Sequence, residues 1–183
     1  MIRVVTTLVT GSSGHLGDAL VRTLGAEGEH VVGFDLRPAT GTTHVASLTD
    51  REAVREAMRG VDVVLHTATL HKPHVATHSK QSFVDTNITG TLVLLEEAVR
   101  VGVEAFVFTS TTSTFGDALR PGPGEHAAWI TESVRPRAKN IYGATKVAAE
   151  DLCLLFHRNE GLPCIILRTS RFFPEQDDDA QRR

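Results

Sequence analysis

The sequence predicts a doubly wound α/β fold, a parallel sheet with helices on both faces. Three observations carry that expectation: short β-branched runs recur along the chain, helical patterns separate them, and a glycine triplet follows the first run directly. Each run, beginning with Val4–Val9, is short and apolar enough to be a strand buried on both faces. From His15 to Gly28, Leu16, Leu20 and Leu24 recur every four residues, the stripe of a helix packed on a sheet, and Gly28 closes it. His30–Phe34 is the second strand. Thr49–Arg59 reads as a helix with charged outer positions, opened by a capping box of Thr49 with Glu52, and Gly60 separates it from a third strand at Val61–His66. Ser79–Val101 reads as one long helix closed by Gly102, Ala105–Thr109 as the fourth strand, Arg137–Glu160 as the last helix and Cys164–Leu167 as the fifth strand. Such alternation calls for parallel strands joined by right-handed crossovers. Between the fourth strand and the last helix, Asp117 to Arg135 holds Pro121, Gly122, Pro123, Gly124 and the only tryptophan, Trp129, a loop long enough to be either functional or disordered. The division expected is one domain over residues 1–174 and a mobile polar tail over 175–183, whose only apolar residue is Ala180.

Composition narrows the function classes. With 19 Lys+Arg against 22 Asp+Glu, the 183-residue chain carries a formal charge of −3, which argues against a nucleic-acid footprint. Apolar residues at 41% and charged residues at 22% match a folded globular chain and exclude a disordered or fibrous one. No apolar run reaches the ~18 residues of a membrane span, and the N-terminal stretch has no apolar core long enough for a signal sequence. Cys153 and Cys164 are too few for a disulfide framework and sit in apolar stretches, so buried free thiols and a reducing, cytoplasmic setting are expected.

Thr10-Gly11-Ser12-Ser13-Gly14-His15-Leu16-Gly17 has the TGxxGxxG spacing, placed between a strand and a helix. Gly11 permits the tight turn, Gly14 lets the backbone approach a diphosphate, and Gly17 lets the helix pack on the sheet. The helix N-terminus offers free N–H groups to the anion. As a mere turn, the same residues need no cofactor. Asp35 ends the second strand 18 positions after Gly17, where a carboxylate can accept both ribose hydroxyl protons of an adenosine and repel a 2′-phosphate. NAD is therefore favoured over NADP, with Arg37 as the group that offsets the repulsion.

Tyr142-Gly143-Ala144-Thr145-Lys146 lies in a helical stretch, so the only tyrosine and Lys146 share one face. A phenol is a poor base at neutral pH, but a neighbouring ammonium and an oxidised nicotinamide both favour its phenolate, which can then accept a hydroxyl proton. The spacing alone also suits a surface pair. A hydroxyl partner belongs at the end of the preceding strand, where Thr109, Ser110, Thr111, Thr112, Ser113 and Thr114 give six choices that spacing does not separate.

With these elements, the sequence resembles the NAD-dependent epimerase/dehydratase family of the extended short-chain dehydrogenase/reductase superfamily. Beyond TGxxGxxG and YxxxK, Val61–Ala68 looks like its D-x-V-x-H-x-A-A strand, Asn87-Ile88-Thr89-Gly90-Thr91 like N-V-x-G-T, and Phe106–Gly116 like F-V-x-x-S-S-x-x-x-Y-G. The resemblance implies a Rossmann-type NAD(P)-binding fold and a sugar or nucleotide-sugar substrate oxidised at a secondary alcohol. It makes Thr111, four residues before Phe115-Gly116, the catalytic Ser/Thr, Tyr142 the base, and Lys146 the residue that holds the nicotinamide ribose. Gly11, Ser13, Gly14, His15, Leu16, Gly17, Asp35, Ser47, Leu48, Thr67, Ala68, Thr69, Asn87 and Thr109 would line the cofactor with Tyr142 and Lys146. His71, Thr111, Thr112 and Ser170 would approach the substrate.

The chain departs from the family pattern in places. Ser47 stands where an aspartate often precedes the adenine-flanking aliphatic residue, and Phe115 replaces a tyrosine. Thr112-Ser113 follow Thr111 without the acidic residue that drives dehydration, which favours an epimerase or dehydrogenase. Arg168–Pro174 lacks the usual glycine before its proline, and family members usually continue with a small substrate domain. A non-catalytic dinucleotide-binding module or inactive fragment is the competing expectation. His66, His71, His74 and His78 cluster, but Pro73 interrupts them and no cysteine is near, so substrate contact or solvation is expected and no metal. Leu92, Leu95, Leu152 and Leu155 exceed what one sheet needs, and the resemblance implies that their helices pair in a homodimer.

Overall fold

The computed structural model describes residues 4–118, 121–127 and 129–170. Its sheet grows from β1 (Thr6–Thr10), where Leu8 and Val9 are fully buried. Two parallel neighbours flank that strand, β2 (His30–Asp35) on one side and β4 (Val63–His66) on the other. β3 (His44–Val45) extends the sheet beyond β2, while β5 (Ala105–Thr111) and β6 (Cys164–Thr169) extend it beyond β4. The order β3-β2-β1-β4-β5-β6 reverses direction between β1 and β4, the place where such sheets open a crevice at their carboxyl ends. Five helices cover it: α1 (His15–Ala26), α2 (Arg51–Ala57), α3 (Lys80–Val84), α4 (Gly90–Val101) and α5 (Ile141–Glu160). The core joins Leu8, Phe34, Val64, Phe106 and Phe108 of the strands to Val54, Leu94, Leu95, Ala98, Ala149 and Cys153 of the helices. The doubly wound parallel architecture expected from the sequence is the one observed.

Several boundaries differ, each for a local reason. Val4 is 62% exposed and precedes β1, which runs instead through Thr6 and Thr7 in register with β2. Asp50 caps α2, its Oδ1 accepting from Ala53 N at 3.1 Å, whereas Thr49 turns back to Ser47, so the Thr49–Glu52 capping box does not form. The stretch from Ser79 to Val101 is not one regular helix, because a π turn at Asp85–Thr89 separates α3 from α4 and carries the buried Asn87. α5 begins at Ile141 instead of Arg137, since Asn140 accepts from Gly143 N at 3.0 Å and fixes the start. β3, with two residues, is too short to show a periodicity.

Burial also corrects three expectations. β6 is an edge strand with Ile165 and Leu167 on an open face, so it is not buried on both sides. Leu95 faces the sheet core and is fully buried, which removes it from any dimer surface, while Leu155 is exposed. Both thiols are free, but only Cys153 is buried and Cys164 is half-buried. No helix among the described residues is long and apolar enough to cross a membrane. The tail expected at 175–183 lies outside the described residues.

Candidate active site

The glycine loop is stitched to the end of β2: Gly11 N donates to Phe34 O at 2.8 Å and Ser12 N to the same oxygen at 3.3 Å. Gly11 turns with φ +74, and a Cβ there would meet Ala68 N at 2.8 Å. Gly17 packs so closely that its Cβ would lie 2.0 Å from Gly11 O. α1 opens at Gly14 with no side-chain cap, which leaves its first-turn N–H groups for an anion. Asp35 is clipped to the loop, its Oδ2 accepting from Ser13 N at 3.0 Å and its Oδ1 from Arg37 N at 2.9 Å. Ser13 Oγ is buried without a hydrogen-bond partner, a destabilising arrangement unless a ligand supplies an acceptor. A glycine cradle, an orphan hydroxyl and a carboxylate clipped to the loop together fit a dinucleotide.

A cavity of about 650 Å³ opens over this loop. Of the residues expected at the cofactor, Gly11, Gly14, His15, Leu16, Gly17, Asp35, Ser47, Leu48, Thr67, Ala68 and Thr69 line it, and His71 joins them. Sequence reasoning did not assign Leu36, Ala46, His74, His78 or Thr86 to this wall, although each lies within a few residues of one it did assign. Arg37 also lines the cavity, beside Asp35.

Thr111, Tyr142 and Lys146 do not line that cavity; they stand at the carboxyl end of β5. Thr111 accepts from Ser113 N at 3.1 Å, and its side chain stands beside the Tyr142 phenol. Burial pushes that phenol above its ordinary range, and the neighbouring Thr111 side chain pulls against the shift. One turn along α5, Lys146 Nζ donates to Thr109 O at 2.6 Å and lies 3.9 Å from the centre of the Phe108 ring. Burial brings this ammonium down to about 7, with Cys153 and Glu150 opposing the shift. Glu150, one turn further, is buried and receives Ser110 Oγ and both arms of Arg168, the closer at 2.7 Å. That ion pair ties α5 to β5 and β6 directly behind Thr111.

A sequence profile of the NAD dependent epimerase/dehydratase family matches residues 7–183. The chain belongs to that family. A short-chain dehydrogenase/reductase superfamily protein of Agrobacterium tumefaciens with bound NAD is 34% identical, with a TM-score of 0.78 over 89% of this chain and 48% of its own. UDP-glucose 4-epimerase of Thermus thermophilus, in complex with NAD, is 30% identical with a TM-score of 0.77 over 89% of this chain and 54% of its own. Sterol demethylase protein B of Methylococcus capsulatus is 35% identical over 154 residues, 80% of this chain and 45% of its own. The chain spans about half the length of the relatives it matches.

Within this epimerase/dehydratase family member, Asn87 joins the two halves of the site. Its Oδ1 accepts from Leu70 N at 2.8 Å and Thr69 Oγ1 at 3.0 Å, and its Nδ2 donates to Leu70 O at 2.9 Å and Thr145 Oγ1 at 3.0 Å. All four bonds hold the loop after β4 against α5, next to Lys146. Thr112 lies in a short turn after β5, and Ser170 is exposed at the end of the described residues.

A second chain of bonds runs beneath. Thr91 Oγ1 donates to Asn87 O at 2.8 Å and so accepts from His66 Nε2 at 3.0 Å. His66 Nδ1 then accepts from Thr10 Oγ1 at 2.7 Å. Burial first, and the Lys146 charge second, take His66 down to about 3. From pH 6.5 down to about 3 the unfolded chain therefore binds a proton that the fold does not, and stability drops as the pH drops, by at most about 1.4 kcal/mol per unit. His66→Gln is expected to remove that slope, measured as the difference in urea unfolding free energy between pH 7 and pH 5.

Proposed function

We propose that this chain carries the cofactor and catalytic groups of an NAD-dependent oxidoreductase or epimerase acting on a secondary alcohol of a sugar or nucleotide sugar. The reading is supported by Tyr142 and Thr111 standing together with Lys146 one turn away, on the same sheet as a glycine cradle that retains an orphan hydroxyl. When bound, NAD supplies the hydride acceptor. Gly11, Gly14 and Gly17 hold its diphosphate, Asp35 its adenosine ribose, and Leu48 its adenine. Thr111 fixes the substrate oxygen and Tyr142 takes its proton, while the Lys146 charge favours the phenolate. Thr112 and Ser113 offer no carboxyl group to drive loss of water, which supports an epimerase or dehydrogenase over a dehydratase. The sugar reading draws on the Thermus epimerase at 30% identity, and the sterol protein marks the other substrate class to be tested.

The test is direct. Purified protein is mixed with NAD and a panel of sugars, nucleotide sugars and sterols, and absorbance at the dihydronicotinamide band is followed. A sugar that reduces bound NAD supports the reading. Binding of NAD with no reduction by any of them supports the competing view of a dinucleotide-binding module. Asp35→Ala is expected to weaken NAD by about tenfold, the loss of one charge-assisted hydrogen bond, and to narrow the gap to NADP. Calorimetric titration with both dinucleotides measures it, and an unchanged NAD affinity would remove Asp35 from the ribose.

A further inference from the structure

The loop after β4 stacks three imidazoles. His71 and His74 meet edge to face with ring centroids 4.5 Å apart, and His74 and His78 do so at 4.9 Å. All three line the cavity over the glycine loop together with Arg37, and Asp35 is the one carboxylate among the described residues that line it. The wall is therefore rich in donors and poor in acceptors.

The inner nitrogens of this ladder are already used. His74 Nδ1 accepts from His71 N at 3.1 Å, and His74 N donates to His71 O at 2.9 Å at the start of the short 3₁₀ turn Lys72–Ala76. His78 Nδ1 shares a hydrogen bond with Thr77 Oγ1 at 2.9 Å. For His74 the acceptor role of Nδ1 assigns the proton to Nε2, so the ring presents a donor. Burial holds His71 and His74 below the usual imidazole range, and His71, His78 and Arg37 hold His74 lower still. Neutral His71 and His74 rings can stack without mutual repulsion, and Arg37 supplies a positive charge.

We infer that the Nε2–H of His74 and the Arg37 guanidinium, with the His78 ring stacked beside them, form a diphosphate-binding wall in the same cavity as the glycine cradle. The inference rests on the reading of that cavity as the dinucleotide site and adds a second set of donors to it. The diphosphate comes either from the dinucleotide or from a nucleoside diphosphate on the substrate, since both present the same oxygens.

The test separates donor chemistry from ring packing. His→Asn keeps an acceptor where Nδ1 stands and removes the Nε2 donor; His→Gln keeps a donor at the Nε2 reach. The double variants H74N/H78N and H74Q/H78Q are compared with the natural protein by calorimetric titration with inorganic diphosphate, NAD, and UDP in the presence of NAD, with thermal unfolding as the control for folding. The expected result is a loss of about tenfold in diphosphate affinity for the Asn pair, and a change within about threefold for the Gln pair. A parallel loss for NAD assigns the wall to the dinucleotide; a loss for UDP alone assigns it to the substrate. Unchanged binding of all three ligands to a folded Asn pair, or equal losses in both pairs, would overturn the inference and leave the cofactor reading intact. Failure of the natural protein to bind NAD, with diphosphate still weakened by the Asn pair alone, would remove the cofactor reading and keep the wall.

Discussion

Tyr142→Phe is expected to lower turnover by about 10²–10⁴-fold while NAD affinity changes by only a few-fold. The substitution removes one oxygen, the atom that stands beside Thr111 and would take the substrate proton, and retains the ring that is 8% exposed. Its effect therefore falls on the proton and not on packing. In the proposed reaction Lys146 would act through the same atom. Its ammonium is brought by burial to about 7, so it loses its proton as pH rises through neutrality, and with it the charge that favours a phenolate. Single-turnover reduction of bound NAD, beside a titration of NAD onto the same variant, reads both quantities. A Tyr142→Phe protein that turns over at the natural rate would take Tyr142 out of the chemistry.

Gly17→Ala and Gly25→Ala should move in opposite directions although both lie in α1. A Cβ on Gly17 would sit 2.0 Å from Gly11 O and 3.0 Å from Ser12 Cα, so α1 must lift from the loop or the loop must open. Overpacking of this kind destabilises by about 1–3 kcal/mol, and the displaced backbone no longer presents its N–H groups, so NAD affinity is expected to fall about 100-fold or more. Gly25 has nothing within 4 Å of its Cβ position and lies within the helix, so Ala there should stabilise by about 0.5–1 kcal/mol without touching NAD. Chemical denaturation and calorimetry of the two variants decide it. Equal effects would mean that the tight approach of Gly17 to Gly11 does not shape the cradle.

Much of the fold was legible because its elements obey one period each. Leu8, Phe34, Val64 and Phe106 sit in runs that only a buried strand explains, and α1 shows its stripe in Leu16, Leu20 and Leu24. What escaped depends on contacts distant in sequence. The cap of α2 passed to Asp50 because Thr49 turned back to Ser47, and both residue types suit either role. The π turn follows from Asn87 reaching Leu70 and Thr145, 17 and 58 residues away, which no local pattern encodes. β6 looked like an inner strand because apolar content cannot say whether a neighbour covers it.

The candidate site divides in the same way. Gly11, Gly14, Gly17 and Asp35 were readable from spacing because a short turn brings them together, and Ser13 N bonds the Asp35 carboxylate. Spacing could not choose among the six hydroxyls from Thr109 to Thr114. Thr111 stands beside the Tyr142 phenol, Ser110 is committed to Glu150, and the carbonyl of Thr109 accepts from Lys146. The histidine ladder was visible as residues but not as a wall, since its meaning depends on Arg37 arriving from the far side of β2.

The NAD reading requires the glycine turn after β1 to grip a diphosphate and so set a hydride acceptor beside Tyr142. A crystal structure of the protein grown with NAD tests it most directly. The account predicts diphosphate oxygens on the N–H groups of the Gly11–Gly17 loop, with Ser13 Oγ no longer alone, the ribose on Asp35, and the nicotinamide ring against Tyr142. A dinucleotide bound away from that loop, or a Tyr142 phenol turned from the nicotinamide, would contradict it.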